Sequence, residues 1–251
     1  MKVAIVTGAA QGIGRRTSEL FSEAGYSIAL IDRQPCPTVA PSADREELLG
    51  DLTDEGFIAH CVEVVRARWG RADVLVNNAG ISFIAPAETV SASDLRRVLE
   101  VNLVAPFLLS RGFGAMMLEQ RQGSIVNIAS IAGLTGIGDR SAYNASKHGL
   151  IGLTRTLAAE WGARGVRSNA VCPGWVKTEM DHVDQASSAY TDDDIIGRVP
   201  MARFATPDDI ARAVLFLADP TQSGFVNGHT LAVDGGWTAD GSWQSLRMSH
   251  R

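Results

Sequence analysis

Cysteine is scarce in this chain, neither sign of charge dominates, and long hydrophobic runs are missing. Only three cysteines occur in 251 residues, Cys36, Cys61 and Cys172, with no CxxC spacing. An odd, scattered set excludes a disulfide framework and a zinc knuckle, and a reducing cytoplasm is the setting it fits. Lys and Arg number 23 against 28 Asp and Glu, a net charge of −5. That balance supplies no electrostatic grip on nucleic acid or on an anionic membrane. No apolar run approaches the roughly 20 residues that span a bilayer. The short run Val3 to Val6 stops at Thr7-Gly8, too soon for a secretory signal. His60, His148, His182, His229 and His250 lack metal-ligand spacing, so no metal is expected.

Glycine, by contrast, is plentiful at 25 residues, about one in ten against an average near 7%. Around the glycines, short β-branched or apolar runs alternate with longer amphipathic stretches. Val3 to Thr7, Ser27 to Asp32, Val74 to Asn77, Ser124 to Ser130, Val166 to Cys172 and Thr230 to Val233 read as strands. Several are apolar on both faces, as buried parallel strands are. Gly12 to Ala24, Asp54 to Trp69, Ser93 to Glu119, Ala142 to Gly162 and Pro207 to Ala218 have helical length and spacing. This order predicts an α/β fold, a doubly wound parallel sheet with helices on both faces, in a single domain. Two stretches are irregular. Pro35, Pro37 and Pro41 disfavour a crossover helix in Arg33 to Asp44, after the second strand. Lys177 to Phe204 is a long insertion near strand C-terminal ends, where it would form a lid over a ligand. Its Asp181, Asp184, Asp192, Asp193 and Asp194 also suit a solvated helix start.

Thr7-Gly8-Ala9-Ala10-Gln11-Gly12-Ile13-Gly14 follows a predicted strand and opens a predicted helix. In that context glycines allow a tight turn and let backbone N–H groups approach a pyrophosphate at the positive end of a helix. An ordinary βα turn would have the same composition, so a second signal is needed. Asp32 supplies it: it ends the second strand 18 residues beyond Gly14, where a carboxylate accepts from adenosine ribose hydroxyls and repels a 2′-phosphate. Arg33 would offset that repulsion, but Gln11 stands where a basic residue would favour NADP. NAD is therefore the expected cofactor of a Rossmann-type domain.

Tyr143 and Lys147 are four residues apart on a predicted helix, hence on one face. A cation about 4 Å from a phenol favours the phenolate by roughly 4 kcal/mol at an effective dielectric near 20, about three pKa units. Tyr143 would then exchange a proton with an alcohol or a carbonyl. An exposed helix pair is the plain alternative. Ser130, at the end of the preceding strand, adds a hydroxyl at the edge where open α/β sheets assemble ligand sites.

Together these residues resemble the short-chain dehydrogenase/reductase family. Thr7 to Gly14 is similar to its TGxxxGIG, Asn77-Asn78-Ala79-Gly80 to its NNAG, and Ser130 stands 13 residues ahead of Tyr143-xxx-Lys147. Asn102 in Val101-Asn102-Leu103 resembles the helix asparagine of the catalytic tetrad. Pro173-Gly174 with Thr178 resembles PGxxxT, and Val233-Asp234-Gly235-Gly236 the C-terminal strand motif. The resemblance implies a cofactor cradle of Gly8, Gln11, Gly12, Ile13 and Gly14, with Asp51 and Leu52 beside the adenine. Asn78, Ala79 and Gly80 would support the cofactor, and Pro173, Gly174, Val176 and Thr178 would contact the nicotinamide. It also implies that Tyr143 takes the hydroxyl proton, Ser130 orients the oxygen, Lys147 binds the nicotinamide ribose, and Asn102 holds a water linking Lys147 to solvent. The sequence departs from the family between Asp32 and Asp51, where the segment is short and Pro-rich.

Residues beside these motifs, Ser82, Ile84, Ala132, Asp139, Trp175 and Met180, are expected to shape a small-molecule substrate site. The family implies a homotetramer, in which the tail 237–251, with Trp237, Trp243, Arg247 and Arg251, would reach a neighbouring active site. The leading expectation is an NAD-dependent dehydrogenase of a polyol, sugar, sugar acid or cyclic diol. Two alternatives are an NADPH-dependent ketoreductase of the 3-oxoacyl carrier-protein type and an NAD-binding regulatory protein without catalysis. The complete set Asn102, Ser130, Tyr143 and Lys147 argues for an enzyme.

Overall fold

The six apolar runs become strands of a seven-stranded parallel sheet. The computed structural model describes residues 1–37, 44–179 and 190–242. Its strands are β1 (Val3–Thr7), β2 (Ser27–Asp32), β3 (Arg45–Leu49), β4 (Val74–Asn77), β5 (Gly123–Ile128), β6 (Val166–Pro173) and β7 (Thr230–Val233). They lie in the order β3-β2-β1-β4-β5-β6-β7, every neighbouring pair parallel. Parallel neighbours require crossovers that cover the sheet, so both faces must be apolar. In β1, Val3 and Ile5 enter one core with Phe113, Met116 and Met117. Ala4 and Val6 enter the other with Phe21, Ile210 and Val214.

The connecting helices are α1 (Gly12–Glu23), α2 (Glu55–Trp69), α3 (Ala92–Leu99), α4 (Ala105–Gln120), α5 (Ser141–Trp161), α6 (Asp192–Arg198), α7 (Pro207–Ala218) and the single turn α8 (Pro220–Ser223). Residues of α2, α4 and α5 pack into the first core, those of α1 and α7 into the second. The result is the single α/β domain expected, a Rossmann-type sheet with helices on both faces.

Three details differ from the sequence reading. β3 is an unexpected strand, because Arg45-Glu46-Glu47 masks its pattern; as an edge strand it pairs only with β2, and Leu48 alone is fully buried. Charged side chains suit such an edge, since they discourage further pairing. Among the described residues no helix lies between β2 and β3; Pro41 lies outside the described residues. The stretch read as one helix from Ser93 to Glu119 is α3, a π-helical turn at Glu100–Val104, and α4. The combined run Ala92–Gln120 is also long and apolar enough to cross a membrane by length and composition, which corrects the reading that no run is. Its Leu108, Leu109, Phe113, Met116 and Met117 are buried in the core of the domain instead.

Candidate active site

Strand order reverses direction between β1 and β4, the point at which an open α/β sheet forms a crevice beyond its strand ends. There the loops enclose a pocket of about 490 Å³. Every expected cofactor residue except Gly14 lines it, as do Ser130, Tyr143 and Lys147. Gly8 and Gly12 have φ of +64° and +52°, a region that side chains resist. Gly14 instead packs behind the loop, where a Cβ would stand 2.0 Å from the Gly8 carbonyl oxygen. Helix α1 begins beneath these glycines with Gln11 as an N-cap that makes no side-chain capping bond, and its first turn holds no acidic residue. Helices α2, α3, α6 and α7 begin on capping side chains, Asp54, Ser91, Thr191 and Thr206. The first N–H groups of α1 thus fit an anionic ligand such as a pyrophosphate.

The NNAG segment braces this turn. Asn78 Nδ2 donates to the carbonyls of Thr7 and Gly8 at 2.9 and 3.1 Å, and Thr7 Oγ1 accepts from the amides of Asn78 and Ala79, both at 3.0 Å. Asn77 is fully buried and donates to Asn127 Oδ1 at 2.8 Å, while Asn127 donates to Thr154 Oγ1 at 2.9 Å. A polar ladder therefore ties β4 and β5 to α5, the helix of Tyr143. At the end of β2, Asp32 accepts from the Ala10 and Gln34 amides at 2.9 and 3.0 Å, which fixes its carboxylate on the pocket wall. Arg33 faces Asp51 at 3.8 Å.

Tyr143 is half-buried on α5 and Lys147 lies beneath it, 4% exposed. The ammonium donates to the Ile128 carbonyl at 2.7 Å and lies 5.6 Å from the centre of the Tyr143 ring. The end of β5 thus anchors the ammonium under the tyrosine ring. Burial pulls the Lys147 pKa down to about 8. Ser130 ends the β5 connection in an extended conformation and its Oγ accepts from the Ala132 amide at 3.1 Å. Asn102 is fully buried in the π-helical turn and is not among the residues lining the pocket. Its Oδ1 accepts from the Ile81 amide at 2.8 Å, and its Nδ2 donates to the Ile81 carbonyl and Ser146 Oγ at 2.9 and 3.1 Å. The side chain clamps the segment after Gly80. π-Helical turns commonly occur at such sites.

Pairing of Val176 with Ala205 closes the base of the segment expected as a lid. Within it, Asp194 and Thr191 form a capping box, so this part of the acidic cluster is a helix start. Lys177 pairs with Asp192 at 2.6 Å. Asp181, Asp184 and Met180 lie outside the described residues, as do Trp243, Arg247 and Arg251 of the tail. In its described part, Trp237 stacks on Arg198 at 4.7 Å and Asp240 pairs with Arg198 at 3.2 Å.

Ser82, Ala132 and Trp175 line the pocket, whereas Ile84 and Asp139 do not. The sequence reading missed Arg97 and Arg140, which also line it. Arg140 was detectable: it is three residues ahead of Tyr143, where a helix brings side chains to one face. Arg97 sits among exposed charges of α3, and nothing in its local sequence marks it.

The family model described as enoyl-(acyl carrier protein) reductase, adh_short_C2, matches residues 8–238. The D-threitol dehydrogenase of Mycolicibacterium smegmatis is 40% identical over 244 residues, covering 94% of this chain and 93% of that protein. The 3-oxoacyl-(acyl-carrier-protein) reductase FabG of Thermotoga maritima is 36% identical over 242 residues, covering 94% and 97%. Levodione reductase superposes with a TM-score of 0.91 at 32% identity, covering 95% of this chain and 98% of that one. Both cofactor types occur among similar structures. ElxO with NADP bound has a TM-score of 0.88 at 31% identity, covering 95% and 99%. 4-Hydroxyisoleucine dehydrogenase complexed with NADH has 0.84 at 32%, covering 96% and 100%.

Proposed function

As the chain belongs to the short-chain dehydrogenase/reductase family and is an oxidoreductase of that family, we propose that it uses NAD to interconvert a secondary alcohol and a ketone, with Tyr143 as general acid and base. The observation that carries this reading is the shared pocket, in which Tyr143, Ser130 and buried Lys147 stand beside the uncapped start of α1. The chemistry a bound nicotinamide supplies is acceptance of a hydride from the carbinol carbon. The chain supplies the rest: Tyr143 takes the hydroxyl proton and Ser130 Oγ orients that oxygen. Lys147 favours the phenolate by its charge and binds the nicotinamide ribose, and Asn102 acts as a positioning residue through Ile81. The glycine turn and α1 hold the pyrophosphate, and Pro173, Gly174, Val176 and Thr178 flank the nicotinamide.

NAD rather than NADP is supported by the fixed Asp32 carboxylate, and by Arg33 facing Asp51 rather than standing alone beside the ribose site. Similarity to a D-threitol dehydrogenase supports a polyol, sugar or sugar-acid substrate. Similarity to FabG favours the second reading, an NADPH-dependent ketoreductase. Turnover with NAD(H) and NADP(H) over polyols, aldoses, sugar acids, cyclic diols and 3-oxoacyl thioesters separates the two. Tyr143→Phe is expected to lower kcat by about 10²- to 10⁴-fold while the protein still binds NADH; retained turnover removes the mechanism.

The segment 177–204 is the proposed lid. A cytoplasmic homotetramer completes the proposal. Three free, buried cysteines suit a reducing compartment, and exposed Phe107, Phe216 and Phe225 offer apolar surface for self-association. Sedimentation equilibrium tests the assembly.

A further inference from the structure

Two fully buried polar side chains behind the pocket, Asn102 and Ser146, join separate parts of its wall. Asn102, in the π-helical turn Glu100–Val104, holds both peptide groups of Ile81: its Oδ1 accepts from the amide at 2.8 Å and its Nδ2 donates to the carbonyl at 2.9 Å. The same Oδ1 backs Gly80, where an added Cβ would lie 3.3 Å from it and 3.6 Å from Lys147 Nζ. Ser146 lies in α5, three residues beyond Tyr143 and one before Lys147. Its Oγ donates to the Tyr143 carbonyl at 2.7 Å and accepts from Asn102 Nδ2 at 3.1 Å. Gly80, Ile81, Tyr143 and Lys147 all line the pocket.

The direction of this chain of hydrogen bonds follows from donor and acceptor chemistry. A carbonyl only accepts, so the single hydroxyl proton of Ser146 is committed to Tyr143 and its oxygen offers Asn102 a lone pair. The Asn102 amide therefore turns Nδ2 toward Ser146 and Oδ1 toward the Ile81 N–H. The reversed amide would set oxygen against oxygen at Ser146 and N–H against N–H at Ile81, a costly arrangement in a buried site. Alanine suits a helix interior better than a serine that bonds back to its own turn, so the helix alone does not account for this hydroxyl.

We propose that Ser146 is a positioning residue: its hydroxyl sets the orientation of Asn102 and, through it, holds the wall at Gly80 and Ile81 in register with the turn of α5 that carries Tyr143 and Lys147. This rests on the oxidoreductase reading, in which a misplacement of about 1 Å between the cofactor wall and Tyr143 costs about 10²-fold in rate.

The test uses the full-length protein and first reads hydrogen exchange of the Ile81 amide, which needs no substrate. Ser146→Ala should speed that exchange about tenfold while the amides of β1 keep wild-type rates. With NAD and the fastest-oxidised of the alcohols named above, kcat should fall about 10- to 100-fold, with KM and the NADH dissociation constant within about twofold of wild type. In an Asn102→Ala background the same change should cost less than about threefold, since the group it acts through is gone. Ser146→Cys, which keeps the size and offers weaker hydrogen bonds, should move Ile81 exchange and kcat in the same directions by about threefold or more, and decides the matter if Ser146→Ala does not fold. Unchanged Ile81 exchange, a loss carried by KM or by NADH binding, or full multiplication of the two losses in the double variant overturns the proposal. If wild type oxidises none of those compounds, the oxidoreductase reading fails separately, and Ile81 exchange still decides whether Ser146 holds the clamp.

Discussion

A half-buried and a buried cation at opposite ends of the sheet are treated in opposite ways. At the N-terminal rim of the strands, Arg167 spreads its guanidinium over the carbonyls of Leu217 and Val226 at 2.8 and 3.2 Å and the hydroxyl of Ser223 at 3.3 Å. Nearby, Asp73 accepts from the Val3 amide at 2.8 Å, and Gln120 clasps both peptide groups of Ala72 at 2.9 Å. At the C-terminal rim, Lys147 is less exposed than Arg167, yet its one described hydrogen bond is to Ile128. The neighbouring helix α1 starts without a cap. At the first rim these groups are paired within the protein and stabilise the fold. The other leaves donors and a desolvated charge that a ligand would satisfy, so the cost of the site is carried by the rest of the domain.

The sharpest way to break this contrast is at Gly14. Gly14→Ala forces a Cβ into the Gly8 carbonyl and should cost about 3 kcal/mol or more, read by urea unfolding, with loss of NADH binding. Lys147 tests the functional rim by pH. Its folded pKa of about 8 lies below the unfolded value near 10.4, so the unfolded chain binds the extra proton between those limits. Stability should therefore rise with pH from about 8 to 10.4, by about 3 kcal/mol from this group. In Lys147→Met that gain should vanish; an unchanged slope would show that the ammonium is not desolvated. For the opposite rim, Arg167→Met should cost about 2 kcal/mol and leave the NADH dissociation constant within about twofold of wild type. The smallest effect is expected at the start of α1. Gln11→Asp adds a cap and should stabilise the free protein by up to about 1 kcal/mol while weakening NADH binding. Tighter binding would remove the idea that this helix end is kept open for an anion.

Much of the site was legible because its chemistry is local. The glycine turn, Asp32 at a strand end and the Tyr143-to-Lys147 spacing each depend on residues close in sequence. β3 was not legible, because an edge strand needs little apolar patterning and Arg45-Glu46-Glu47 conceals it. Asn102 was found by resemblance, but its three hydrogen bonds join segments 21 and 44 residues away, which no local pattern reports. The π-helical turn that presents it was hidden within a continuous helical pattern for the same reason.

By itself the sequence determined the alternation of strands and helices, the glycine turn and the spacing of the groups proposed to react, because periodicity, backbone freedom and side-chain chemistry are properties of short segments. Only the tertiary structure decided which groups face the pocket and which support it. Gly14 and Asn102 stand behind the wall, and Lys147 donates to the Ile128 carbonyl beneath the Tyr143 ring. Arg140, unremarked in sequence, was brought beside Tyr143 with Ser82 and Trp175 around it. Burial, a charge's distance from its partner and the sign of the field at a reacting atom arise from packing between distant segments.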